Sequence, residues 1–458
     1  MRLYNTLTHS VEELAPLNPP EVKVYTCGPT VYDYMHIGNW FTFIRYDLLI
    51  RTLIASGYKP KWVINITDVG HLTSDSDSGE DKLDKRAKKE GKTAWEIADY
   101  YSKYFFDSTR KLNFIEPWQT PKATDHISEQ INFIKGLEEK GYTYRTSDGI
   151  YFDTSKFSRY ADFARLDIDE MQPGSRIEVN PEKHNPSDFA LWKFSPDKVK
   201  RDMEWDSPWG KGFPGWHIEC SAMCLKYLGK TLDIHSGGID HIPIHHTNEI
   251  AQSEALNDQP LARFWMHTNH ILINGTKISK SLGNTITLED IEKKGYGPED
   301  LRLLVLESHY RSQSKFDWSS LSSAASRLLR YRNFAVRRFQ SLNNGDDIPP
   351  PNLLSELADD LNTPAALAKL EKWLDANENI SISKQSIESA LTTIDNLLGL
   401  RLGETKDIPD NLKVIIADRE KARNNQDWAS ADSLRTELNK AGYTVLDMPT
   451  GPLWQYLA

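Results

Sequence analysis

Within HHTNE, His245 and Glu249 stand four residues apart. On a helix that spacing sends both side chains out of one face, where they can meet a single metal ion. Cys27 and Cys220 are candidates to complete a set of four ligands, and Cys224, one helical turn beyond Cys220, competes for its place. Each piece has an ordinary explanation when taken alone. A His–Glu pair at this spacing is commonly a surface pair, and an isolated cysteine is commonly a small core residue. Spacing does not decide between Cys220 and Cys224. A hydrolytic zinc centre built on the two adjacent histidines and Glu249 is the weaker reading, because the pattern is not HExxH and no general base is placed.

Two further stretches suit phosphate chemistry: HIGN (His36 to Asn39) and KISKS (Lys277 to Ser281). A helix N-terminus offers free amides and a positive dipole, and Gly38 allows a nucleotide to approach closely. His36 and Asn39 can donate to phosphate oxygens, while Lys277 and Lys280 add positive charge. KISKS alone reads as a solvated polar loop; the pair of motifs points to nucleotide binding.

The elements that would position these groups follow from the pattern. VKVYT (Val22 to Thr26) alternates as a strand, CGPT breaks it, and an amphipathic stretch from Asn39 to Ser56 predicts a helix. A second strand is expected over Lys61 to Ile66, giving a βαβ unit whose ligand edge carries Cys27 and Thr67. The aromatic, charged and proline-punctuated region from about Phe114 to Gly215 reads as a connective insertion. Strand and helix signals resume after Leu232, with HHTNEIAQSEAL helical. From Ser319 onward the pattern is helical, broken by NNGDDIPPP and GETKDIPD.

The chain has 458 residues, 39% hydrophobic and 26% charged, which is the balance of a globular protein of about three domains. No apolar run approaches the length of a bilayer span and no secretory signal opens the chain, so a cytoplasmic protein is expected. Three cysteines are too few for a disulfide framework. A net charge of -10 argues against nonspecific nucleic-acid binding but leaves room for local basic surfaces.

CGPTVYDYMHIGN, NITD (Asn65 to Asp68), DFALWK (Asp188 to Lys193), DSPWGKGFPGWHIECSAM (Asp206 to Met223), HHTNEIAQSEA and KISKSLGN together make the chain resemble the cysteinyl-tRNA synthetase family, whose HIGH and KMSKS signatures stand here as HIGN and KISKS. The resemblance covers nearly the whole chain. It implies an α/β fold: a Rossmann-like class I synthetase catalytic domain over residues 1–305 with a connective insertion at 114–215. A helical stem or bundle over 306–402 and an anticodon-binding domain over 411–458 would follow. It also implies one Zn²⁺ per subunit on Cys27, Cys220, His245 and Glu249, which leaves Cys224 to packing.

The implied reaction is ATP-dependent activation of L-cysteine, with Mg²⁺ assisting, followed by transfer to the 3′-terminal adenosine of tRNA(Cys) by a monomer. His36 and Asn39 would stabilise the α-phosphate, Gly38 would admit the nucleotide, and Lys277 and Lys280 would close over the leaving pyrophosphate. Gly28, Thr67, Trp216 and His235 match positions around the amino acid. Shape alone separates cysteine from serine by perhaps 10- to 200-fold, whereas zinc prefers thiolate to hydroxyl and would supply the selectivity without an editing domain. SRLLRYRNFAVRRF carries Arg327, Arg330, Arg332, Arg337 and Arg338, a basic helix suited to a phosphate backbone. Asp447 and Trp454 are candidates to meet anticodon bases.

Some positions depart from the family pattern. Ile278 replaces Met, Phe213 replaces Arg, IDHIPIHH with its shifted Pro243 replaces DLxFPHH, and VGHLTSDSDSGEDK (Val69 to Lys82) is long and acidic. The nearest rival is a ligase of the same fold that joins cysteine to an amino sugar; it needs no anticodon domain, so Arg419 to Trp454 weighs against it. A noncatalytic paralogue that only binds RNA or cysteine is disfavoured by intact HIGN and KISKS.

Overall fold

The computed structural model describes residues 1–70, 81–165, 180–195, 201–273, 275–277, 285–340, 345–378, 380–448 and 451–457, with only the backbone of Lys277. Two compact units divide the chain: Met1–Ile271 with Ile278–Leu288 and Tyr310–Ser314, and Leu272–Lys277 with Glu289–His309 and Lys315–Ala458.

In the first unit, β1 (Arg2–Asn5) and β2 (Ser10–Glu13) form an antiparallel pair. β3 (Glu21–Thr26), α1 (Ile37–Ala55) and β4 (Lys59–Ile64) form the βαβ unit expected from the sequence. α2 (Lys82–Glu90), α3 (Ala94–Lys111) and α4 (Ile127–Glu139) come next. They lead to an antiparallel sheet of β5 (Thr143–Arg145), β6 (Gly149–Phe152), β7 (Phe189–Phe194) and β8 (Gly212–Pro214), in that order. The parallel fold then resumes with α5 (Trp216–Leu228), β9 (Leu232–Gly238), a π-helical turn over Ile242–His246, α6 (Thr247–Asn257) and β10 (Ala262–Thr268).

The central sheet is parallel with strand order β10-β9-β3-β4. From β3 the chain moves outward to β4 and later returns on the opposite side through β9, so the order reverses between β3 and β9. Connections leaving such a reversal diverge and open a crevice at the C-terminal strand ends, the usual ligand position in this architecture. The helix expected to be amphipathic differs: α1 is buried on almost all sides, including Arg45, Asp47 and Arg51. Arg51 pairs with Asp47 at 2.7 Å, and Arg45 donates to the Ser314 hydroxyl at 2.7 Å.

The second unit begins with the paired strands β11 (Ile271–Ile273) and β12 (Thr276–Lys277). It continues through α7 (Leu288–Lys293), α8 (Pro298–Leu306), β13 (Ser314–Phe316), α9 (Trp318–Ala335), α10 (Leu354–Leu357), α11 (Thr363–Ala376), α12 (Lys384–Leu398), α13 (Asp410–Asn424) and α14 (Trp428–Lys440). The tail read as helical ends instead in a hairpin, β14 (Tyr443–Met448) with β15 (Gly451–Tyr456). Val445 and Trp454 face each other in its register and pack with Ile408, Leu412, Ile416 and Leu438.

Trp454 is therefore 4% exposed, a core residue rather than a stacking surface for a base. Asp447 is engaged by Arg419 at 2.8 and 3.0 Å and by Arg423 at 2.7 Å. The arginines of the basic helix also have partners. Arg327 meets Glu307, Arg330 meets Glu371 and Asp375, and Arg332 meets Glu299. Arg337 and Arg338 donate to the carbonyls of Asn377, Ile380, Gly403 and Thr405. Among the described residues, no helix is long and apolar enough to cross a membrane.

Candidate active site

Cys27 is the first residue past β3, and its backbone N–H donates to the Ser236 carbonyl of β9 at 3.0 Å, so it stands at the strand-order reversal. Opposite it, Pro243 lies in the π-helical turn, where an absent N–H already interrupts regular helical bonding. That turn delivers His245 and His246 to the pocket immediately before α6 carries Glu249. Cys220 comes from α5. The ligand atoms of Cys27, Cys220, His245 and Glu249 all lie within 4.8 Å of one another, and all four residues are buried. Cys224 is buried but belongs to no such group among the described residues.

A second group shares two of these members: Cys27, His235, His246 and Glu249. His246 lies in both the pocket and an internal relay, with Nε2 3.3 Å from Cys27 Sγ and Nδ1 2.7 Å from His267 Nε2, whose Nδ1 is 2.8 Å from the Thr6 hydroxyl. His235 lies flat on Trp265 and reaches Glu249 Oε2 at 2.7 Å, while His245 Nε2 is 2.7 Å from Glu249 Oε1. His217 contacts His245 at 3.0 Å. His217 and His267 were not singled out from sequence, and His246 entered only through the weaker hydrolytic reading of the two adjacent histidines.

The electrostatics are those of a dry, mutually compensating cluster. Burial disfavours the Glu249 carboxylate, yet His235 and His245 outweigh it and hold the acid well below its usual range. Burial likewise opposes the His245 imidazolium, but Glu249 raises it to about 10. The hydrogen bond with Cys27 brings Cys220 down to about 7 against desolvation, while burial pushes the Cys27 thiol up. Burial drives His246 and His267 well below the usual histidine range, so both are neutral.

Around this cluster lie the other amino-acid-site candidates. Gly28 donates its N–H to Asn65 Oδ1 at 2.8 Å, and any Cβ there would sit 1.6 Å from the Asn65 carbonyl oxygen, so only glycine fits. Asn65 in turn donates to the buried Thr67 hydroxyl at 3.0 Å. The half-buried Trp216 ring is 4.9 Å from His245, with Lys82 Nζ 5.7 Å from its centroid. A Cβ on Gly237 would collide with His241 and His246, which lie over the end of β9.

His36 caps α1 in extended conformation, accepting from the Asn39 N–H on Nδ1 at 3.4 Å, while Asn39 Oδ1 accepts from the His36 N–H at 3.1 Å. Both motif side chains thus help to frame the helix N-terminus, with Gly38 in its first turn. Ile37 donates to the Ile286 carbonyl at 2.8 Å, and His36 bridges to Thr287. The chain just beyond KISKSLGN is therefore hydrogen-bonded to HIGN. Lys277 lies in β12; Lys280, Ile278 and the rest of that motif, and most of the acidic stretch after Val69, fall outside the described residues.

Residues 13–326 match the family described as tRNA synthetases class I (C) catalytic domain, and residues 405–454 match the cysteinyl-tRNA ligase anticodon binding domain. The chain is 44% identical over 456 residues to cysteine--tRNA ligase 1 of Burkholderia lata, covering 98% of this chain and 96% of that protein. It is 38% identical over 495 residues to cysteine--tRNA ligase of Treponema denticola, covering all of both. Among solved structures it is similar to Mycobacterium tuberculosis methionyl-tRNA synthetase in complex with methionyl-adenylate, with a TM-score of 0.61 at 13% identity over 85% of this chain and 94% of that one. A leucyl-tRNA synthetase complex from Agrobacterium radiobacter K84 gives a TM-score of 0.61 at 12% identity over 86% of each chain, a likeness of fold alone. A class I catalytic domain, an anticodon-binding domain and identity sustained along the full length place this chain in the cysteine–tRNA ligase family.

Proposed function

We propose that the protein activates L-cysteine with ATP and transfers it to the 3′-terminal adenosine of tRNA(Cys), acting as a cytoplasmic monomer that holds Zn²⁺ on Cys27, Cys220, His245 and Glu249. The observation that carries the reading is the convergence of those four buried donors within 4.8 Å at the strand-order reversal. Two sulfurs, an imidazole and a carboxylate are the donor types of a zinc site, and their mutual spacing suits bonds of about 2.0–2.3 Å to one ion. The alternative group offers one sulfur, and its His235 is held against Glu249 and Trp265. When bound, zinc would hold the substrate's sulfur as thiolate and so separate cysteine from serine.

The chain's own residues supply position and charge. His235 fixes one oxygen of Glu249 and leaves Oε1 toward the other donors. Gly28, Thr67, Trp216 and His235 border the amino acid, bringing its carboxylate toward the nucleotide. The α1 N-terminus with His36, Gly38 and Asn39 would receive the ATP phosphates, with His36 and Asn39 polarising the α-phosphate and Mg²⁺ as counter-ion. Lys277 and Lys280 would neutralise the departing pyrophosphate. We assign residues 1–305 to catalysis, with 114–215 as the insertion, 306–402 to a helical stem, and 411–458 to the anticodon.

The test measures charging of purified tRNA with cysteine and with serine, and cysteine-dependent ATP–pyrophosphate exchange, in wild type and Cys220→Ser. The expected outcome is loss of zinc and of cysteine activation with little change in the feeble activity toward serine. Equal loss toward both amino acids would make the metal structural. A wild type that binds zinc but performs no exchange would sink the enzyme reading.

A further inference from the structure

Lys82 opens α2, and its ammonium is held between two aromatic rings: Nζ is 5.8 Å from the centroid of Tyr32 and 5.7 Å from that of Trp216. Both rings grow from the walls of the amino-acid pocket. Trp216 stands on α5 one turn before Cys220, with its ring 4.9 Å from that of His245. Tyr32 follows Val31, whose N–H donates to the Thr67 carbonyl at 3.1 Å. One tryptophan thus adjoins both the donor cluster and a lysine ammonium.

The root of this lysine is anchored. Asp81 caps α2 by accepting from the N–H groups of Leu83 at 2.7 Å and Asp84 at 3.0 Å. The buried Arg201 pairs with Asp81, donates to the Gly70 carbonyl at 3.1 Å and lies 3.8 Å over the Phe213 ring. A Cβ on Gly70 would collide with the Asp81 carboxylate. These contacts fix where the Lys82 stem starts, and the two rings fix where it ends.

Nearby cations find carboxylates within the protein: Arg86 meets Asp33 and Glu90, Lys92 meets Glu90, and Arg201 meets Asp81. Lys82 differs, for among the described residues its ammonium meets the two rings and no carboxylate. An aromatic face attracts a cation through its quadrupole but carries no net charge, so the ammonium keeps its charge for an anion. A half-buried cation of this kind beside an amino-acid pocket is matched in charge by the one group every amino acid brings, its carboxylate.

We propose that Lys82 receives the α-carboxylate of the amino acid whose sulfur is held at the donor cluster. The assignment rests on the proposed activation of cysteine and adds the cation that orients the attacking group. An ammonium is a compact point charge and can hold one carboxylate oxygen. The other oxygen is left to form its bond to the α-phosphorus as the bond from that phosphorus to the departing pyrophosphate breaks.

The experiment loads wild type, Lys82→Met and Lys82→Arg with zinc and measures calorimetric binding of cysteine and of cysteamine, which keeps the thiol and the amine but lacks the carboxylate. Exchange kinetics add the KM for cysteine and for ATP. Methionine keeps an unbranched stem between the rings and removes the charge. Wild type should prefer cysteine. Lys82→Met should bind it roughly ten- to a hundredfold more weakly, the range for a hydrogen bond to a charged group, with cysteamine affinity, zinc content and the KM for ATP within about twofold. Lys82→Arg should stay closer to wild type than Lys82→Met does. Equal weakening toward both thiols would overturn the proposal by making Lys82 a prop for the pocket, and a loss confined to ATP would overturn it in favour of a phosphate. A wild type that binds neither thiol would remove the proposed function and this assignment together, whereas a preference for cysteine that survives in Lys82→Met would remove the assignment alone.

Discussion

The Cys/His/Glu cluster beside β3 and the arginine-rich helix α9 are both dense in ionisable groups, yet only the first is closed off from solvent. In the cluster every donor is buried and its neighbours are other donors, so an unpartnered charge would be costly and the groups are held toward one point. On α9 and the helical turn after it, Val336–Phe339, each arginine is long and part-exposed, and acidic residues or carbonyls within reach absorb it. Counting cations on a helix therefore measures charge present, not charge available to a phosphate. Burial restricts alternatives; exposure multiplies them.

The strongest attempt to break this contrast is Cys220→Ser. Replacing a thiolate donor in a dry site should abolish stoichiometric zinc, read by elemental analysis, and take cysteine-dependent exchange down by about a hundredfold or more, beyond the 10- to 100-fold typical of an outer-shell change. Full zinc with normal exchange would dissolve the proposed site. Trp454→Ala comes next: as a core residue it should cost about 3–5 kcal/mol of stability in denaturant titrations, where a solvent-facing stacking residue would cost little.

His235→Gln removes the imidazole that fixes Glu249 Oε2, and zinc affinity measured by chelator competition should fall about 10- to 100-fold with the metal still able to bind. The smallest effect belongs to Arg330→Gln. Its pairs with Glu371 and Asp375 are part-exposed, so stability should change by only about 0.2–1 kcal/mol, and the dependence of tRNA binding on salt should keep its slope. A slope lowered by about one would mean that Arg330 does reach a phosphate and that the contrast is too sharply drawn.

What could be read in the sequence was what depends on short, strong patterns. The strand before CGPT, the helix opening at HIGN and the shared face of His245 and Glu249 need only local periodicity and a turn. Less visible were elements defined by distant partners. The short strands β5 to β8 owe their existence to pairing and to Phe152, Phe189 and Trp192 packing together, so the region read as an irregular insertion. The terminal hairpin has two inward cross-strand pairs, Tyr443 with Tyr456 and Val445 with Trp454, too short an alternation to stand out beside the preceding helices. α1 read as amphipathic because Arg45, Asp47 and Arg51 are charged, and only the structure supplies the buried partners that let them turn inward. In the site, type and spacing proposed Cys27, His245 and Glu249 but left Cys220 and Cys224 equal; position in space separates them, since only Cys220 reaches the other donors.

Cys27, Cys220 and Cys224 are the only cysteines in the chain, and all are buried. The outer surface is thus silent toward bulky thiol reagents. A single cysteine introduced at an exposed position such as Trp428, 58% accessible, would be the first thiol such a reagent meets. The same chemistry yields an internal clock: slow labelling of the native protein would time the opening of the pocket, and zinc should lengthen that time.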